Sequence, residues 1–158
     1  MAAGSPEEAA LEGLMNKVAI ALARDLARDG EGAKTLIEAV VDGAASLEDA
    51  RRAARTIVSS PLVKTMITGR DPNLGRVMMA LGRSGAEIDV DRTSVYIFDT
   101  CAFERGSPSD VDYTALSAAM DKPEVQLRVD LGLGTYTATA WGCDLTEGYV
   151  RINADYTT

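Results

Sequence analysis

The sequence predicts an α+β fold of mixed helices and short antiparallel strands, and three observations carry that expectation. Apolar residues near the N-terminus recur at spacings of three and four, which is helical. Val125, Leu127, Val129 and Leu131 alternate with Gln126, Arg128 and Asp130, which is the period of a half-buried strand. Helical and strand patterns follow one another without the regular spacing of βαβ units.

The elements follow in order. Ser5-Pro6-Glu7-Glu8 is a helix start, with Ser as cap, Pro in the first turn and Glu three residues on. Leu11, Leu14, Met15, Val18, Leu22 and Leu26 then fall on one face, and Gly30 is a natural stop. Residues 35–41 are β-prone and read as a strand. Ser46 opens a second helix whose apolar side is Leu47, Ala50, Ala54, Ile57 and Val58, and Pro61 ends it. Residues 62–67 read as a strand. Turn chemistry at residues 69–73 precedes a helix holding Leu74, Val77, Met78 and Leu81, with Asp71-Pro72 as a further capping candidate. Residues 94–99 and 101–103 pair as a hairpin, and Asp110 caps a helix through Tyr113, Leu116 and Met120. Gly132 and Gly134 form a hairpin turn into a strand over 135–141, and residues 148–153 read as a last strand.

Composition narrows the chemistry. The chain has 158 residues, 46% of them apolar and only 5% aromatic, so one core of Ala, Val, Leu, Ile and Met is expected. A formal net charge of −8 disfavours a general role on nucleic acid or an anionic membrane. With no histidine, a His-based metal site and Ser–His or Cys–His catalysis within this chain are excluded. Cys101 and Cys143 are far apart and in no paired motif, which suits free thiols in a reducing compartment. No apolar run approaches the roughly 20 residues of a membrane helix, and no signal pattern opens the chain, so a cytoplasmic protein is expected.

Three polar segments are candidates for chemistry. Asp29-Gly30-Glu31-Gly32 sets an acid between glycines just past a helix end. It is either a solvated loop acid or a carboxylate for a substrate ammonium, with glycines permitting close backbone approach. Asp71 to Arg76 combines a turn, a cap and a basic residue, which structure alone explains. The polar run Arg151 to Thr158 is either a frayed tail or part of a site.

Taken together, Leu22 to Asp25 with Glu31 to Lys34, Ser60-Pro61-Leu62-Val63-Lys64-Thr65, Asp71-Pro72-Asn73-Leu74-Gly75-Arg76 and Ala140 to Tyr156 resemble, in order, the C-terminal part of the ornithine acetyltransferase (glutamate N-acetyltransferase) family. The resemblance covers residues 16–158, while residues 1–15 match poorly. It implies the C-terminal part of that family's fold. The implied activity belongs to arginine biosynthesis: transfer of acetyl from N-acetylornithine to glutamate, with acetyl-CoA as a further donor in some members.

Members cut themselves before a threonine, which becomes an N-terminal nucleophile whose own amine serves as base. By resemblance, Glu31, Asn153 and Thr158 are substrate-binding residues, with no catalytic residue, metal or resident cofactor in this chain. The family's cleavage segment and oxyanion-hole residues have no counterpart here, and Leu74 replaces a usual Trp. The expected partner is therefore the nucleophile-bearing remainder of the enzyme, in a hetero- or homo-oligomer. The runner-up is a non-catalytic assembly or folding module that binds a partner chain. The start methionine and the cap at Ser5 suggest a genuine or designed beginning, whether of a truncated frame, a split subunit or an excised piece.

Overall fold

A computed structural model of the chain describes residues 4–155. Helix α1 (Pro6–Arg28) leads to strand β1 (Leu36–Ala44) and helices α2 (Leu47–Ser59), α3 (Pro61–Thr68) and α4 (Leu74–Gly82). Strands β2 (Ser94–Ile97), β3 (Thr100–Glu104) and β4 (Ser107–Pro108) follow, then helix α5 (Tyr113–Ala119), strands β5 (Glu124–Asp130) and β6 (Tyr136–Cys143), and helix α6 (Glu147–Asp155). The strands form one mixed sheet in the order β4-β3-β2-β5-β1-β6, antiparallel except where β1 runs parallel to β5. The α+β reading therefore holds.

One face of this sheet is the core. Ile37, Ala39 and Val41 of β1 stand in register with Val125, Leu127 and Val129 of β5, and all six are fully buried. Ala50, Ala53, Ala54 and Ile57 of α2 join Val63, Met66 and Ile67 of α3 and Val77 and Leu81 of α4 in the same apolar cluster. Small alanines let α2 lie close to the strands, and Gly142 of β6 extends that approach. A Cβ there would come within 2.9 Å of the Val58 Cβ. Leu127→Ala, in the middle of the sheet, is expected to lower unfolding stability by about 2–5 kcal/mol in urea titration. Leu26→Ala, at a position 78% exposed, should change it by less than about 0.5 kcal/mol.

The opposite face is polar and carries α1. Glu38 accepts hydrogen bonds from Gln126 Nε2 at 2.8 Å and Trp141 Nε1 at 2.7 Å and pairs with Arg24, which also meets Glu124 at 2.5 Å. Burial raises the Glu38 pKa, but the bonds from Gln126 and Trp141 and the Arg24 guanidinium outweigh it and hold the carboxyl below its ordinary value of 4.5. A folded-state pKa below the unfolded one means stability that is present above about pH 4.5 and lost as pH falls through the folded value. Chemical denaturation from pH 7 to 3 should show that loss. Glu38→Gln should be less stable at pH 7 and decline less steeply; parallel curves would contradict the linkage.

Several sequence expectations give way. Residues 62–67 are helix, not strand. Ser60 closes α2 and caps α3 through its hydroxyl, Pro61 starts α3, and Val63, Met66 and Ile67 are buried at helical spacing. Residues 148–153 are likewise helical, because the sheet ends at Cys143 and Thr146 takes the Gly148 N–H at 3.1 Å to start α6. Gly132 and Gly134 do not turn a hairpin: β1 lies between β5 and β6, and the chain crosses its end, with the Leu133 and Gly134 N–H groups on the Gly43 carbonyl.

Asp112, not Asp110, caps α5, and Asn73 starts α4 without a side-chain cap from Asp71. Leu47 is 40% exposed, off the packed side of α2. The apolar stripe of α1 is real, but none of that helix's residues is buried by the described part of the chain. Helical periodicity identifies an apolar face; it does not say which chain supplies the other side.

Candidate functional site

The loop between α1 and β1 is built to be close to its neighbours. A Cβ at Gly30 would run into the Cys143 Sγ and force that thiol to move. Gly32 has φ +68, and a Cβ there would sit 2.6 Å from the Tyr149 backbone nitrogen, so the first turn of α6 rests directly on this glycine. Buried Asp144 accepts the Lys34 and Thr35 N–H groups at 2.8 and 3.1 Å, which ties the end of the loop to the strand β6 exit. The Thr146 hydroxyl donates to the Gly32 carbonyl at 2.6 Å while accepting from Gly148. The loop is thereby fixed from both ends, and Glu31 projects from its middle.

A cavity of about 480 Å³ opens beside it, lined by Gly30, Glu31, Pro61, Lys64, Cys143 and Tyr149 among others. Glu31 is on the exposed side of this cavity. Its Oε2 accepts a hydrogen bond from Asn153 Nδ2 at 2.8 Å, and the same nitrogen donates to the Tyr149 carbonyl at 2.9 Å. The structure thus brings together Glu31 and Asn153, which lie 122 positions apart in the chain. Both donors of the Asn153 amide are engaged, so in this arrangement it positions Glu31 and leaves its carbonyl oxygen as an acceptor. Thr158 lies outside the described residues.

Lys64 lies within the Ser60-to-Thr65 motif. The structure sets it on α3, half-buried, with Nζ 3.6 Å from Cys143 Sγ. No carboxylate pairs with it among the described residues. Its signal was weak in sequence because residues 62–67 look β-prone, and a strand would have sent alternate side chains elsewhere. Cys101 and Cys143 are free, and no group of three or more His, Cys, Asp or Glu among the described residues is placed to hold a metal.

An acidic and a basic side chain on one concave wall can take a small ligand carrying both charges. The fold is that of a solved arginine biosynthesis protein. The chain is similar to the crystal structure of the arginine biosynthesis bifunctional protein ArgJ from Bacillus halodurans, with TM-score 0.95 and 38% identity over 99% of this chain and 74% of that one.

The model of the ArgJ family matches residues 1–158, and the chain belongs to that family. It is 52% identical to the arginine biosynthesis bifunctional protein ArgJ of Dehalococcoides mccartyi over 87% of this chain and 34% of that protein. It is 51% identical to the glutamate N-acetyltransferase of Methanosarcina acetivorans over 87% of this chain and 36% of that protein. The chain thus spans little more than a third of the length of these curated relatives.

Proposed function

We propose that this chain forms the amino-acid-binding part of an acetyltransferase that moves acetyl from N-acetylornithine to glutamate, with acetyl-CoA as a further donor. The observation that carries the reading is Glu31, held by Asn153 at the edge of a cavity that Cys143 and Lys64 line. Its carboxylate accepts the α-ammonium of glutamate through charge-assisted hydrogen bonds. Asn153 orients Glu31, and by the family resemblance Thr158 is a further substrate-binding residue.

On this proposal the acetyl-carrying threonine and the oxyanion donors belong to the remainder of the enzyme, as the family resemblance implies. In the two-step scheme, that threonine's hydroxyl attacks the amide of N-acetylornithine and releases ornithine. The ammonium of glutamate then gives up a proton, and the resulting amine takes the acetyl group from the threonine ester, whose oxygen leaves as the free hydroxyl. The residues of this chain bind and orient the glutamate acceptor. Such a biosynthetic step belongs in the cytoplasm, and no helix among the described residues is long and apolar enough to cross a membrane.

The exposed stripe on α1 is where the remainder docks. Leu14, Met15, Val18 and Leu22 are each 58–64% exposed on one helix face, a patch of the kind that drives association. The same stripe favours the second reading, a non-catalytic module that assembles on a partner chain.

Co-expression with the nucleophile-bearing portion of a relative separates the two readings. Native mass spectrometry should show a complex, and that complex should carry acetyl from N-acetylornithine to glutamate, with the trapped acetyl on the partner's threonine. A complex without turnover supports the module instead. Absence of any complex contradicts both.

A further inference from the structure

We infer that Lys64 is the specificity-determining cation of this cavity and receives the side-chain carboxylate of a bound acidic α-amino acid. The inference rests on reading the cavity as an amino-acid site, and it assigns a residue that this reading leaves idle. An amino acid with an acidic side chain brings one ammonium and two carboxylates. Glu31 meets the first. The Asn153 amide cannot meet a carboxylate in this arrangement, because its donors already serve Glu31 and the Tyr149 carbonyl.

Lys64 is the basic side chain among those that line the cavity, which also carries Glu31 and Asp144. Asp144 is buried, with Oδ1 accepting from the Lys34 and Thr35 N–H groups and Oδ2 from the Thr68 hydroxyl at 3.4 Å, and no ion pair among the described residues joins it to Lys64. Lys64 Nζ donates to the Cys143 sulfur at 3.6 Å, a weak acceptor that a carboxylate readily displaces. Lys64 is also held in place. Its own carbonyl accepts the Leu145 N–H at 3.4 Å, and α3 is anchored by buried Val63, Met66 and Ile67. Glu31 and Lys64 therefore present opposite charges from two rigid elements to one space of about 480 Å³, room for a small amino acid.

The test is a ligand–residue cycle on the chain itself, since both charged walls belong to it. Amide-resolved NMR titrations with L-glutamate and L-glutamine are run on the wild type, Lys64→Met, Lys64→Arg and Glu31→Gln. Glutamine differs only in its neutral side-chain end. Wild type should bind glutamate about 10-fold more tightly than glutamine, with shifts at Gly30, Gly142 and Cys143. Lys64→Met should bring the two ligands to equal affinity, and Lys64→Arg should keep the preference.

A glutamate preference that survives in Lys64→Met overturns the assignment, as does a wild type that does not tell the two ligands apart. If Glu31→Gln still weakens both ligands in those cases, the amino-acid site itself stands. No binding of either ligand to the wild type overturns the site and the Lys64 assignment together.

Discussion

The purified 158-residue chain on its own is expected to show no transfer of acetyl between N-acetylornithine and glutamate. The proposed chemistry needs a nucleophile with its own base and a pair of oxyanion donors. The cavity offers Lys64, Cys143, Glu31 and Tyr149, but the chain has no histidine to act as base in a Cys–His arrangement. Removing one oxyanion donor typically costs about 100- to 1,000-fold, and on this proposal the family's donors lie in the remainder of the enzyme. Assays of the isolated chain should therefore sit at least about 100-fold below the co-expressed complex, at the level of a protein-free control. Clear turnover by the chain alone, with acetyl mapped to one of its own residues, would contradict this division of labour.

Within the complex, Glu31→Gln is expected to lower kcat/KM for transfer by roughly 10- to 150-fold. A charge-assisted hydrogen bond contributes on the order of 1.5–3 kcal/mol, which sets that range. Glu31 is exposed in the chain by itself, and solvent screening pulls the effect toward the lower end unless the partner covers the site. The substitution keeps shape and one acceptor, so the fold should be unchanged by circular dichroism. Asn153→Ala should act in the same direction more weakly, because it frees Glu31 to move without removing its charge. Deleting Thr158 should also be weaker, since water or a backbone group can replace one hydroxyl. Wild-type kinetics in Glu31→Gln would remove the role assigned to it.

Local rules made most of the fold legible. The alternation from Val125 to Leu131 named the buried face of β5, and Ser46 announced α2. What stayed hidden depended on distant partners or on competing local signals. Residues 62–67 are β-prone by composition, yet Ser60 and Pro61 start a helix whose buried side packs on α2 and α4. Residues 148–153 look like a strand, but the sheet ends with β6 and the Thr146 hydroxyl takes the Gly148 N–H to start a helix instead.

Insertion of β1 between β5 and β6 is a long-range fact that the glycines at 132 and 134 could not express. The pairing of Glu31 with Asn153 came from resemblance alone, as no local pattern joins positions that far apart. Lys64 was legible as a letter in a motif and became a candidate once α3 was a helix.

The most direct measurement is a crystal structure of the co-expressed complex with L-glutamate bound, because glutamate carries a single ammonium. The account predicts that nitrogen about 2.7–3.2 Å from a Glu31 carboxylate oxygen, with Asn153 still holding the other side of that carboxylate. Glutamate bound in a different cavity, or an ammonium met by another acid while Glu31 faces solvent, would contradict it.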